Sequence, residues 1–236
     1  MINNILWIIA ARSGSKSVID KNIKILGKYP LFYYMYKSVS KISPNQNIWA
    51  STDSDVYAKI FNDFGLSTPF IRPQQLATDD ASSMDVVLHA MTYAEKNSFK
   101  KKYIGLLEPT NPFITAKDLF SALNKLMNDK KSKSIVATVE SRPNTFFVQE
   151  EDTYLNDLHE KFLNTNKLTR QKFSKQITPA GGFYISEWEE FKKSKTFYNY
   201  NTISFELDHI KGLEIDSEID WNFAEFIIKN NLYENE

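Results

Sequence analysis

The chain reads as an α/β protein, a Rossmann-like three-layer sandwich built on a mainly parallel central sheet. Two observations predict this. Short apolar runs rich in β-branched and aromatic residues alternate with longer segments of helical period through the first half of the chain. The length of 236 residues is one that a single hydrophobic core can serve, so 1–236 is read as one domain.

The elements follow in order. Residues 5–11 are the first strand, and 30–42 the first helix, with Pro30 suited to its N1 position. A strand at 47–52, a helix over 55–64 ended by Gly65, a short strand at 69–71 and a helix over 82–97 come next. Residues 103–107 form a buried strand that runs into Glu108-Pro109-Thr110-Asn111-Pro112, where two prolines force a loop. A helix over 116–129 and a strand over 134–139 complete the regular part. From 142 to 177 the pattern fails and the chain leaves the core as a polar excursion. Strands at 183–186, 203–207 and 212–215 and a helix from 218 to about 230 close the sequence.

Composition narrows the function. The chain carries 29 Lys and Arg against 29 Asp and Glu, so no global field draws it to nucleic acid or to an anionic membrane. Any phosphate binding is local. The apolar run 5–11 is too short to span a bilayer and has no cationic stretch before it, which gives the expectation of a cytoplasmic protein. The absence of cysteine excludes disulfides, thiolate metal sites and cysteine nucleophiles. His89, His159 and His209 have no metal-ligand spacing.

In open parallel sheets ligands bind beyond the carboxyl ends of strands. Directly after the first strand stand Arg12-Ser13-Gly14-Ser15-Lys16 and then Lys21-Asn22: three cations, a flexible glycine and two hydroxyls. These are parts for a polyanion cradle, in which loop amides surround phosphate oxygens while Arg and Lys neutralise them. Neither the GxxxxGK[ST] nor the GxGxxG spacing is present. The bland alternative is a solvated surface turn.

The run IIAARSGSKSVIDKN over 8–22 resembles the opening signature of the cytidylyltransferases that activate acidic sugars, the CMP-sialic acid synthetase family and its relatives for other nonulosonic acids and for Kdo. Further segments are similar in the right order: Trp49-Ala-Ser-Thr-Asp53, Phe70-Ile-Arg-Pro73, Leu76-Ala-Thr-Asp79, Ala81-Ser-Ser83, Leu106-Leu-Glu-Pro-Thr-Asn-Pro112 and Glu214-Ile-Asp216. The resemblance covers nearly the whole chain.

That resemblance implies a function. CTP would be held by Ala11, Arg12, Ser13, Gly14, Ser15, Lys16, Lys21 and Asn22 on the phosphate side, and by Arg72, Asp79, Ser82 and Ser83 around the nucleoside. From the residues alone, Arg72 reads equally well as a surface ion pair. Arg12, Lys21 and Asp216 are the expected catalytic residues. The acceptor, a nonulosonic sugar acid attacking through its anomeric hydroxyl, would meet Glu108, Thr110, Arg170, Gln171 and Phe183. Mg²⁺ is the expected cofactor, since opening a triphosphate calls for a hard cation on oxygen ligands. Glu214 and Asp216, two apart on an expected short strand, would share a face and a metal. Their alternative role is as ordinary acids heading the last helix. Asp53 reads as a turn or structural residue, with a metal ligand as the alternative.

In the family, the excursion at 142–177 is a dimerisation element, so a homodimer with Arg170 acting in the partner's site is implied; by its residues alone it reads as a surface loop. Three departures stand out. Ser17 replaces a glycine, Glu108 replaces a glutamine, and Ile114 replaces an arginine that would support the acid substrate or its loop. A carboxylate accepts hydrogen bonds but does not donate them, so Glu108 favours an acceptor sugar with an amine, acetamido or added hydroxyl group. Transfer to another acceptor, such as a Kdo-type sugar, a sugar phosphate or a phosphonate, and a nucleotide-binding relative with impaired catalysis are the competing readings.

Overall fold

The computed structural model describes residues 2–141, 156–164 and 174–233. Its centre is a six-stranded sheet in the order β4-β1-β5-β7-β6-β8, formed by β1 (Ile5–Ala10), β4 (Ile48–Ser51), β5 (Tyr103–Leu107), β6 (Ser134–Glu140), β7 (Ile177–Glu187) and β8 (Ile203–Leu207). β1 pairs in parallel with both β4 and β5, and β6 pairs in parallel with β8. β7 is antiparallel to both its neighbours, so the expected mainly parallel sheet has one reversed strand between β5 and β6.

The sheet is covered on both faces, which is why the strands read as unbroken apolar runs rather than alternating ones. Successive side chains of β1 still go to opposite sides. Ile5, Trp7 and Ile9 join a core with α1 (Leu31–Ser40), α2 (Asp55–Asp63) and α4 (Ala116–Asn128); Leu6 and Ile8 join a second with α3 (Ser83–Lys96) and α6 (Trp188–Ser194). A smaller cluster of Val18, Leu26, Leu31, Phe113 and Ile215 lies beneath Trp221, Ala224 and Ile227 of α7 (Glu218–Lys229). Residues 156–164 form α5 (Asn156–Asn164). Among the described residues no helix is long and apolar enough to cross a membrane.

The helices start on local signals. Ser54 and Ser82 accept the amides of Tyr57 and Met84, while Thr115 with Asp118 and Ser217 with Asp220 close reciprocal capping boxes. Pro30 lies one position outside its expected place: it is the extended N-cap of α1 and the last residue of a small hairpin, β2 (Ile25–Leu26) with β3 (Tyr29–Pro30). Residues 69–71 give only an isolated bridge, Thr52 to Ile71. Residues 212–215 form no strand; one hydrogen bond, from the Ile215 amide to the Thr110 carbonyl at 2.9 Å, ties them to the β5 loop.

β7 is longer than the expected 183–186 and is broken by a bulge. Opposite β6 its register jumps from Tyr184 to Pro179 while β6 advances only from Val136 to Thr138. Gly181 and Gly182 sit in this jump with φ of +69° and +77°, where a β-carbon is disfavoured. A methyl on Gly182 would lie 2.3 Å from Ile114 Cδ1 and 3.3 Å from Asn111 Cβ. Left-handed strain and overpacking each cost roughly 1–3 kcal/mol. Gly182→Ala is therefore expected to lower the free energy of unfolding by about 2–4 kcal/mol, seen as a lower urea midpoint with an unchanged slope. An unchanged midpoint would mean that the bulge does not require glycine.

Candidate active site

A cleft of about 540 Å³ opens beyond the carboxyl ends of β4, β1 and β5, within the range of small-molecule sites. A second cavity of about 180 Å³, bordered by Tyr29, Tyr34, Phe113, Ile114 and Tyr233, falls below it. Of the residues singled out in the sequence, the large cleft brings together Arg12, Ser15, Lys16, Lys21, Asn22, Arg72, Asp79, Ser83, Glu108, Thr110, Glu214 and Asp216.

The loop after β1 is anchored rather than free. Ser13 donates its amide and hydroxyl to the two oxygens of Asp53, at 2.8 and 2.7 Å. Asn22 Nδ2 donates to the Arg12 carbonyl at 2.9 Å, and Val18 is fully buried. The loop's rim thus keeps Ser15, Lys16 and Ser17 toward the cleft. Asp53 has the turn-stabilising role its position suggested.

Arg72 is not a surface ion pair. It is buried, with Nε donating to Ser51 Oγ at 3.1 Å, Nη1 to the Leu76 carbonyl at 3.4 Å and Nη2 to the Ser51 carbonyl. Burial, aided by Arg12 and opposed by Asp53, lowers its pKa to about 10, so it remains a cation at neutral pH. Arg12 Nη1 donates to the Ala77 carbonyl at 3.1 Å and Nη2 to Asp79 Oδ1 at 2.5 Å, while Lys16 Nζ reaches Asp79 Oδ2 at 2.6 Å. Lys21 crosses to the far side, donating to the Ile215 carbonyl at 2.7 Å and to Asp216 Oδ1 at 3.2 Å.

Glu108, Glu214 and Asp216 form an acidic group in the same cleft. Glu108 Oε2 accepts the Gly182 amide at 3.1 Å. A methyl on Gly181 would lie 3.1 Å from Glu108 Oε2 and 3.2 Å from Glu214 Oε2, so both acids converge over the β7 bulge. Burial raises the Glu108 pKa, with Asp216 adding to it and the Gly182 amide opposing it. Enclosure, then Asp216 and Glu108, push Glu214 up to about 7. Like charges so arranged invite a cation. Glu214 and Asp216 do share the cleft, but from an irregular segment in which Ile215 is buried between them. They precede the first turn of α7, whose acids are Glu218 and Asp220.

Other expected residues lie elsewhere. Ala11 is fully buried, and Phe183 is a core residue against Phe205 rather than a wall of the cleft. Ser13 is committed to Asp53 and Ser82 to the α3 cap; neither these nor Gly14 lines the cleft. Ile114 is buried against Gly182, so a side chain there serves packing and not the acid substrate. Arg170 and Gln171 lie outside the described residues, as does most of the 142–177 excursion. His89 sits on α3 against Phe70. Thr78, Ala81 and Pro109, which belong to the segments that carry the resemblance, and Val86 of α3 line the cleft without having been assigned a role.

Burial alone would raise the Asp53 pKa, but the two Ser13 hydrogen bonds, the Asp53 backbone amide and the Arg72 charge together outweigh it and hold it below the ordinary value. The stabilisation is present above the unfolded pKa and is lost as pH falls through the lower folded one. Asp53→Ala is expected to cost about 1–2 kcal/mol at pH 7. The gap between variant and parent should narrow below about pH 4, as urea unfolding at several pH values would measure.

The chain has counterparts among known proteins. The family model described as Cytidylyltransferase matches residues 6–236. The chain is similar to the N-acylneuraminate cytidylyltransferase of Escherichia coli, with 28% identity over 229 residues, covering 95% of this chain and 52% of that protein; it spans about half that relative's length. It is also similar to the CMP-N,N'-diacetyllegionaminic acid synthase of Legionella pneumophila, 27% identical over 236 residues, covering 96% of this chain and 97% of the relative. Among solved structures, the CMP:2-keto-3-deoxy-manno-octonic acid synthetase complexed with CTP superposes with a TM-score of 0.70 at 13% identity, covering 96% of this chain and 99% of the other. At that identity the likeness is one of fold.

Proposed function

This chain belongs to the cytidylyltransferase family, and from that premise we propose that it transfers CMP from CTP to the anomeric hydroxyl of a nonulosonic sugar acid, releasing pyrophosphate. The observation that carries the reading is the partition of charge in the cleft: Arg12, Lys16 and Arg72 on one side, Glu108, Glu214 and Asp216 on the other, with Lys21 bridging to Asp216. The named activities of the E. coli and L. pneumophila relatives support the acceptor class.

A triphosphate brings about four negative charges, which must be offset while the acceptor oxygen is aligned opposite the leaving pyrophosphate. Arg12, Lys16 and Lys21 supply cations for it, and the N-terminus of α3 at Ala81 and Ser83 adds a favourable dipole on the same rim. The acceptor hydroxyl forms the new bond to the α-phosphorus as the bond to the β-phosphate oxygen breaks; the hydroxyl proton passes to solvent water, and pyrophosphate leaves along the cationic wall. Arg72, fixed by three hydrogen bonds, orients the nucleoside side. Glu108 and Thr110 face the acceptor, where a Glu108 carboxylate selects a sugar that donates hydrogen bonds.

Among the described residues, no group of three or more His, Asp or Glu side chains is placed to hold a metal on its own. A pair of carboxylates completed by substrate oxygens and water is nonetheless a usual Mg²⁺ environment, and the raised Glu214 pKa beside Asp216 fits one. Glu214 and Asp216 would hold the ion, which supplies charge neutralisation and lowers the pKa of a bound hydroxyl. The reading includes a homodimer in which Arg170 recognises the sugar carboxylate, a bidentate task suited to arginine.

Pyrophosphate release, followed across four nucleoside triphosphates and a panel of sugar acids, should occur with CTP and a nonulosonic acid in a protein that light scattering sizes as a dimer. No release with CTP and any acid would overturn the proposal. Asp216→Asn should lower turnover by about a hundredfold or more while the unfolding transition stays in place. Unchanged turnover with unchanged Mg²⁺ dependence would refute the metal assignment.

A further inference from the structure

Asp79 is an acid placed among cations that are expected to meet an acid from outside. Its Oδ1 lies 2.5 Å from Arg12 Nη2 and its Oδ2 lies 2.6 Å from Lys16 Nζ, so each oxygen engages a different cation and the carboxylate bridges them. All three residues line the large cleft. Two non-bridging oxygens of a phosphate would make the same pair of contacts.

The surroundings identify this bridge as exchangeable. The Lys16 side chain is 82% exposed and has no other partner among the described residues, so the carboxylate alone fixes its long stem. Asp79 is itself half exposed, in a region where an ion pair is a weak tie in water. Its segment, between the turn at Gln74–Leu76 and the first residue of α3, is held by sparse backbone contacts such as the Ala77 amide to the Gln74 carbonyl at 2.9 Å. Both cations hold the Asp79 carboxyl below its ordinary pKa, so it is ionised at neutral pH.

We propose that Asp79 is a resident counter-anion, a positioning residue that arrays Arg12 and Lys16 toward the cleft in the free protein and is exchanged for phosphate oxygens when a polyphosphate enters. The proposal rests on the phosphate-binding reading of the cleft. A tripolyphosphate carries several charges against one carboxylate and so wins the exchange, but it must break both ties to do so. An Asp79 that stayed in place would add repulsion. Removing its charge therefore tightens polyphosphate binding, whereas a residue serving as a direct ligand contact would weaken it when removed.

The test is calorimetric titration of the intact protein with inorganic tripolyphosphate, which has no ribose or base and isolates the cationic wall. Asp79→Asn should bind about three- to tenfold more tightly than the parent, Asp79→Glu should return to near the parent affinity, and the dependence of log Kd on log salt should be steeper in Asp79→Asn. Asp79→Ser is a second charge-removing variant, each variant being compared after its unfolding transition has been matched to the parent. Equal or weaker binding by both neutral variants would overturn the role of Asp79 while leaving the phosphate site in place. No tripolyphosphate binding by parent or variants would overturn the phosphate reading itself and the proposal with it.

Discussion

Everything at the site depends on three strands ending at one edge. β4, β1 and β5 run in parallel and adjacent, so the loops after them leave the sheet together, with their strand ends buried and fixed. The loop after β1 supplies Arg12, Lys16 and Lys21, the one after β4 leads to Arg72, and the one after β5 begins at Glu108. Backbone pairing thus holds groups far apart in sequence to a common rim. The reversed strand adds what parallel strands alone do not: β7 brings its bulge to the carboxyl end of β5, where the Glu108 amide donates to the Gly182 carbonyl at 2.8 Å and the Gly182 amide donates to the Glu108 carboxylate.

The cleft built on this edge concentrates charge that the chain as a whole lacks. Equal numbers of acids and bases cancel globally, yet inside the cleft Arg12, Lys16 and Arg72 gather in one group and Glu108, Glu214 and Asp216 in another. Such sorting costs desolvation, most plainly for buried Arg72, which three hydrogen bonds compensate. It also raises the pKa of Glu214 and Glu108. In the free protein the excess on each side is moderated internally, by Asp79 among the cations and by Lys21 beside Asp216. A ligand with a polyanionic end and a cation-binding middle matches both walls at once.

Much of this was legible in the sequence because its signals are local. Continuous apolar runs marked β1, β4 and β5 to within a residue or two at each end, and helical period marked α2, α3, α4 and α7. The cationic loop after β1 was readable for the same reason. The direction of β7 was not, since strand orientation is a property of partners, and Pro179, Gly181 and Gly182 hid the first half of that strand among turn signals. α6 and the β2–β3 hairpin are too short to carry a sustained period. Period two did put Glu214 and Asp216 on one side, though without the strand from which it was inferred. Phe183 and Ile114 lay next to site residues in sequence and face the core instead, a distinction that only packing makes.

The central claim is that the rim of β4, β1 and β5 is a nucleoside triphosphate site with its cationic and acidic walls serving opposite ends of the chemistry. A crystal structure of the protein soaked with CTP tests it most directly. The account predicts density for the triphosphate against Arg12, Lys16 and Lys21, with the nucleoside toward Arg72 and Ser83 and the α-phosphate facing Asp216. Density for the nucleotide in the cavity between Tyr29, Tyr34 and Tyr233, or a triphosphate directed away from the Arg12 loop, would contradict it.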